Sequence, residues 1–191
     1  MKRLIILLAA VWLAGCAAVV KVEGEQVVRN RLSVQLPSAW NRIANHHEPF
    51  ELWTQDGAAL DQLRFWSGVK PGEALIRTSF TPAGQTAPRV PTFAANMPPD
   101  QLVSMFEMLF SADGSQVKTD RIEPARFAGE NGVRFEFAVI RKTSELQLRG
   151  VGWAAVRNGE LFAATFTAPQ LSFFQRLLPK AEGVVATARL R

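Results

Sequence analysis

A single cysteine, Cys16, stands in this chain of 191 residues, and it closes an apolar stretch at the start of the sequence. No disulfide, cysteine-ligated metal or thiolate nucleophile can therefore belong to the region beyond it. Whatever that region folds into must be held by an apolar core alone. Thirteen phenylalanines, with Trp40, Trp53, Trp66 and Trp153, provide the large side chains for such a core. Removing residues 1–15 leaves 176 residues. A chain of that length forms one domain that buries roughly 70% of its unfolded surface.

The first residues read as a secretory signal. Met1-Lys2-Arg3 is basic, Leu4 to Leu13 is apolar, and the small residues Ala14 and Gly15 precede Cys16. A membrane-spanning helix needs about twenty apolar residues, and Lys21 and Glu23 end any extension of this run. The quartet Leu13-Ala14-Gly15-Cys16 resembles the lipobox of bacterial lipoproteins. That resemblance implies a thioether-linked diacylglycerol on Cys16, cleavage before it and an acylated new N-terminus. Each buried methylene of such an anchor contributes about 0.8 kcal/mol to membrane attachment. Ala17 stands where, by the same resemblance, an aspartate would favour retention in the inner membrane. The implied location is the outer membrane, facing the periplasm.

Charge excludes one class of partner. The formal net charge is +5. Lys2 and Arg3 fall in the signal, so the remainder holds 20 basic residues against 17 acidic ones, an excess of only three. No run of five like charges occurs, and nothing marks a nucleic-acid surface.

Residues 16–24 are expected to form a lipidated tether and residues 25–191 a single domain. From Val27 the pattern is extended, with Leu32, Val34 and Leu36 alternating against Ser33 and Gln35. Pro37 is expected to end that strand, and Ala39 to Ile43 to start the next. Phe50 to Thr54 and Leu60 to Ser67 form two apolar-rich runs around Asp56-Gly57, a turn pair. Within the second run Leu63 and Phe65 face one way, Arg64 and Trp66 the other. Residues 81–99, rich in proline and poor in periodicity, are expected to make a surface insertion. Pro98-Pro99-Asp100 marks a helix start, and Leu102, Val103, Phe106, Leu109 and Phe110 trace one buried helical face. The second half reads as a meander: Val117 to Ala128 at an edge because of Pro124, Val133 to Arg141, Leu146 to Val156, then Asn158-Gly159 turning into Leu161 to Thr167. A final helix is expected from Leu171 to about Leu190, interrupted at Pro179. This order of strands and few helices reads as α+β.

Several landmarks coincide over residues 25–191. They are the opening strand followed by Pro37-Ser38-Ala39-Trp40, the tryptophan-bearing hairpin with Asp56-Gly57, and the central amphipathic helix. Gly132-Val133-Arg134-Phe135-Glu136, Arg149-Gly150, Asn158-Gly159-Glu160-Leu161-Phe162 and a closing helix follow. Together they resemble the Mog1/PsbP-like domain found in small bacterial envelope lipoproteins. The resemblance implies an antiparallel sheet with helices on both faces, an α/β/α sandwich, in a protein that binds or assembles rather than catalyses.

Chemical motifs are sparse. His46-His47-Glu48 is the only cluster of metal-ligand types, but adjacent residues of an extended chain point to opposite sides. Paired histidine ligands usually sit four apart on a helix. No Gly-x-Ser-x-Gly elbow and no glycine-rich phosphate loop is present. Gly150-Val151-Gly152 lies within a strand, where glycine permits close approach of another element. No enzyme activity and no cofactor is expected. Arg134 and Glu136 alternate away from Val133, Phe135 and Phe137, and Gln147 and Arg149 share that polar side. Trp66, Arg134 and Arg149 are therefore candidate binding residues, set against plain cross-strand ion pairing on a solvated face. The leading expectation is an envelope lipoprotein that binds another envelope component. The alternative is a small-molecule carrier or sensor with an aromatic-lined pocket; a cell-wall or lipid enzyme ranks third.

Because Cys16 is the sole cysteine and completes the quartet, Cys16→Ser should release the protein from membranes or block its processing. Cell fractionation with mobility analysis checks this, and unchanged membrane partition with normal cleavage would refute it.

Overall fold

Each run of alternating apolar and polar side chains becomes a strand, and the strands join into one antiparallel sheet. A computed structural model describes residues 19–44, 47–77 and 90–191. The signal, Cys16, His46 and residues 78–89 lie outside the described residues. The strands are β1 (Val19–Val28), β2 (Leu32–Ile43), β3 (Phe50–Thr54), β4 (Gln62–Val69), β5 (Gln116–Phe127), β6 (Glu130–Ile140), β7 (Gln147–Arg157), β8 (Glu160–Pro169) and β9 (Arg189–Leu190). Helix α1 (Pro99–Ser111) follows β4, and α2 (Gln175–Ala186) follows β8. The sheet order is β1-β2-β3-β4-β8-β7-β6-β5, with β9 paired to β2. No described helix is long and apolar enough to cross a membrane.

Two clusters of buried side chains form on opposite faces, because successive residues of a strand point opposite ways. One cluster joins α1, through Leu102, Val103, Met105, Phe106 and Leu109, to Phe50, Trp66, Phe135 and Phe137. The other joins α2, through Leu177, Ala181, Val184 and Val185, to Trp40, Trp53, Phe65, Trp153 and Phe166. The period of α1 matches its sequence pattern, and Pro99 and Asp100 occupy its first turn.

The tether is shorter than expected. Residues 19–24 belong to β1, where Val22 is buried and pairs with Trp40 of β2. Pro37 does not end β2. The register jumps from Val22 opposite Trp40 to Gly24 opposite Leu36, so β2 carries extra residues at a bulge that leaves Pro37 exposed. The Asp56-Gly57 turn is a longer loop than a tight hairpin. The buried Asp61 carboxylate organises it, accepting hydrogen bonds from the Thr54 hydroxyl and the Gln55 and Asp56 backbone N–H groups.

The proline-rich insertion is also shorter than expected on its described side. Phe93 is 1% exposed and packs in the α1-side cluster. Its N–H donates to the Glu73 carbonyl at 2.9 Å, and its carbonyl accepts from the Gly72 N–H at 2.8 Å. Burial of one large ring overrides the absence of periodicity around it. The part of the insertion before residue 90 lies outside the described residues.

The closing helix runs unbroken through Pro179. That proline is the fifth residue, just past the N–H groups that lack intrahelical acceptors, so the helix forgoes one bond, to the Gln175 carbonyl, and continues. The break comes earlier, at Leu171 and Ser172, with Ser172 at φ 66°. In β7, Gly150 and Gly152 do permit close approach: a Cβ would stand 2.3 Å from a Phe137 ring carbon or 2.1 Å from a Phe135 ring carbon. Asn158 and Gly159 both have positive φ, as a type I′ hairpin turn requires.

Trp40 is 1% exposed. Trp40→Ala should lower stability by about 3–5 kcal/mol in chemical denaturation. Phe93→Ala should fall in the same range, whereas a melting point within a degree or two of wild type would remove either residue from the core.

Candidate functional site

The β6 strand alternates Val133, Phe135, Phe137 and Val139 into the α1-side cluster, which places Arg134 and Glu136 on the α2 side. Register then brings the charges together. Glu123 of β5 lies opposite Arg134, and Trp153 of β7 lies opposite it on the other side. Helix α2 adds Glu182 from above. The Arg134 Nη1 donates to Glu136 Oε1 at 2.6 Å and Glu123 Oε1 at 3.0 Å, and Nη2 donates to Glu182 Oε1 at 3.1 Å. Its Cζ lies 5.9 Å from the Trp153 ring centroid. Burial works against the charge, but the hydrogen bonds to Glu136 and Glu182 outweigh it and raise the Arg134 pKa. Arg149 continues the ladder, paired with Asp120 and 3.9 Å from Glu136.

Beside this ladder a groove of about 540 Å³ opens between the β5–β6 turn and the end of α2. Arg126, Trp153, Glu182, Val185 and Arg189 are among its lining residues. Arg189 belongs to β9, which pairs with β2, yet it meets the β5–β6 turn across the groove. The sheet therefore curls strongly enough to bring strands distant in its order to one opening. The groove is lined by the edge of the Trp153 indole, which is 6% exposed, by Arg126, whose Nη2 donates to the Gly129 carbonyl, by Arg189, and by the Glu182 carboxylate that Arg134 holds. Such a lining suits a polar or charged surface rather than a wholly apolar molecule.

Of the three residues read from the sequence, Arg134 and Arg149 share this face. Trp66 does not. It is fully buried on the α1 side, and its indole N–H donates to the Leu75 carbonyl at 2.8 Å. Trp66 cannot line a groove with the two arginines, because it occupies the opposite phase of the sheet. Trp153 takes the aromatic place on the polar face, in the strand phase of Arg149. Arg126 and Arg189 were missed in the sequence because only the curl of the sheet brings them together. His47 is exposed in a bend. Among the described residues, no three histidine, cysteine, aspartate or glutamate side chains cluster as metal ligands.

No family model matches the chain, and no curated protein matches it. Solved structures do. The solution structure of cyanobacterial PsbP (CyanoP) from Synechocystis sp. PCC 6803 superposes with a TM-score of 0.55 at 10% identity, covering 93% of this chain and 95% of that one. A crystal structure from Bacteroides thetaiotaomicron VPI-5482 gives a TM-score of 0.52 at 14% identity. It covers 89% of this chain, which spans 49% of that protein. The domain has a PsbP-like fold, built mostly of antiparallel sheet.

Arg134 holds three carboxylates close together, with its own side chain 18% exposed. Arg134→Met keeps the stem over Trp153 but leaves the acids facing one another. It should cost about 1–3 kcal/mol at neutral pH, measured by urea denaturation. A loss under half a kilocalorie would mean that the ladder is solvated pairing of the ordinary surface kind.

Proposed function

We propose that the chain is a lipid-anchored envelope lipoprotein whose PsbP-like domain binds another envelope component without catalysing a reaction. The Leu13-Ala14-Gly15-Cys16 quartet carries this reading, since it supplies both the export signal and the acylated cysteine. The location that follows is the outer membrane, on its periplasmic side. The layering is that of an α/β/α sandwich, supported by the separate clusters that α1 and α2 make with the sheet. The docking surface is the groove beside Arg134, where Arg126, Arg189, Glu182 and Trp153 offer charge of both signs around one aromatic face. Aromatic and arginine side chains are the commonest anchors of protein interfaces, which favours a protein partner.

Site-specific photo-crosslinking in intact cells tests this. A photoreactive residue at Arg126 or Arg189 should give a discrete crosslinked species. The same residue at Ser104, exposed on α1, should give none, and Cys16→Ser should abolish the crosslink. Equal labelling from Ser104, or none from the groove, would displace the partner from this surface.

A further inference from the structure

Arg64 points from the sheet toward the aromatic rings of the α1 side. It lies on β4 in the phase of Trp66, opposite Leu52 of β3 and Thr165 of β8. The aromatic rings of the α1 side form a continuous chain of contacts. It runs from Phe50 to Trp66 at 5.3 Å, on to Phe106 at 5.4 Å and Phe135 at 5.3 Å, then to Phe137 at 5.7 Å and Phe110 at 4.8 Å. The Arg64 guanidinium closes it, 5.0 Å from the Phe50 centroid and 5.4 Å from the Phe110 centroid.

This cation has no carboxylate partner. Among the described residues it makes no salt bridge, and its side-chain acceptor is the Gln62 amide oxygen, which takes hydrogen bonds from Nε, at 3.1 Å, and from Nη2, leaving the Nη1 edge of the fork free of a side-chain acceptor. Residues 1–18, 45–46 and 78–89 contain no aspartate or glutamate, so no acid of the chain is left out of that comparison. The Glu48 carboxylate acts on Arg64 only at longer range and is held by the Arg77 backbone N–H at 3.0 Å. Burial, with the positive charge of Arg141, pushes the Arg64 guanidinium down to about 10. A second polar group is left over at the same place. Thr165 is 1% exposed, and among the described residues its hydroxyl has no hydrogen-bond partner. Arg64 and Thr165 are direct cross-strand neighbours, so their side chains rise from the same face with Cβ atoms about 5 Å apart.

An uncompensated guanidinium beside an unsatisfied hydroxyl, between two phenyl faces, is a half-built recognition site. Arginine presents a planar fork that matches a carboxylate with two parallel hydrogen bonds. The hydroxyl, buried beside the guanidinium, would be a further donor to an anion that moves the packed rings aside. The rings on either side would hold the plane of the fork and pack an apolar body. Arg64 keeps partial solvent exposure, so an anion can reach it from outside. We propose that Arg64 and Thr165, flanked by Phe50 and Phe110, form a binding subsite for an organic monocarboxylate with an aromatic or aliphatic body. The inference is independent of the groove beside Arg134, which lies on the opposite face, and of the lipid anchor.

Nuclear magnetic resonance titration of the isotope-labelled full chain, at constant ionic strength, tests it. The probes are benzoate, its neutral isostere benzamide, and sulfate, read at the Arg64 Nε–H and Trp66 indole N–H resonances. Benzoate should give saturable shifts at both, and benzamide and sulfate should not. Arg64→Met, which keeps the apolar stem between the rings, should weaken benzoate binding at least about tenfold. Arg64→Lys, which keeps the charge but not the fork, should fall between Met and wild type; it carries the test should the Met variant not fold. Thr165→Val should weaken binding several-fold. The proposal is overturned by an absence of saturable shifts, by benzamide or sulfate binding as well as benzoate, or by undiminished benzoate binding in the Arg64 variants.

Discussion

Strand β8 is buried along its whole length from Leu161 to Pro169, and the rest of the molecule is arranged around that fact. It pairs with β4 on one side and β7 on the other. Phe162, Ala164, Phe166 and Ala168 point into the α2-side cluster, while Leu161 and Ala163 point into the α1-side cluster. Both buried clusters therefore rest on one strand, which contributes side chains to each. Outward from β8 the burial declines. At the far edge β5 shows Lys118, Asp120, Arg121 and the proline at 124 to solvent, which blunts an otherwise unpaired strand.

Much of this was legible residue by residue. The alternation in β6, the three- and four-residue spacing of α1 and the Asn158-Gly159 turn each follow from local pattern and turn chemistry. The structure keeps all three. What failed was non-local. Pro37 reads as a strand end, but a bulge opposite Gly24 absorbs it, and only the β1 pairing reveals that bulge. Phe93 sits among prolines without a periodic neighbour, so no window of sequence shows that it docks in the core. The face of Trp66 was read correctly relative to Arg64. Its burial was not, because that depends on α1 coming across from another part of the chain to place Phe106 against it.

Arg64 and Arg134 show how one side chain acquires opposite characters from two faces of one sheet. Arg134 meets three carboxylates from β5, β6 and α2, and its affinity for the proton rises. Arg64 meets rings, an amide and a bare hydroxyl, and its affinity falls. The first arrangement is complete within the chain: acids are matched to the cation by register. The second satisfies packing but not charge. A partly buried cation without an anion is only partly compensated by ring faces and an amide oxygen, and strand phase alone does not demand an arginine there. An apolar residue of similar length would fill the same slot.

The position of β1 adds a constraint on how such contacts would be made. With Cys16 acylated as proposed, only three residues separate the lipid from Val19, where β1 begins pairing with Ile43. A fully extended chain covers at most about 3.3–3.6 Å per residue, so the start of the sheet could lie no more than roughly 10 Å from the acylated cysteine. Val19 and Val20 are 60% and 45% exposed at that end, and Lys21 follows them. Apolar side chains next to a cation suit the interfacial zone of a bilayer, where aliphatic groups and a basic head are both accommodated. A long flexible tether would let the domain search for partners far from the membrane. With the lipid on Cys16, a three-residue tether would confine it to components that themselves reach the surface, and would set which end of the sheet faces the lipid. In this arrangement the paired β1–β2 ladder, rather than a linker, bears the orientation of the whole domain.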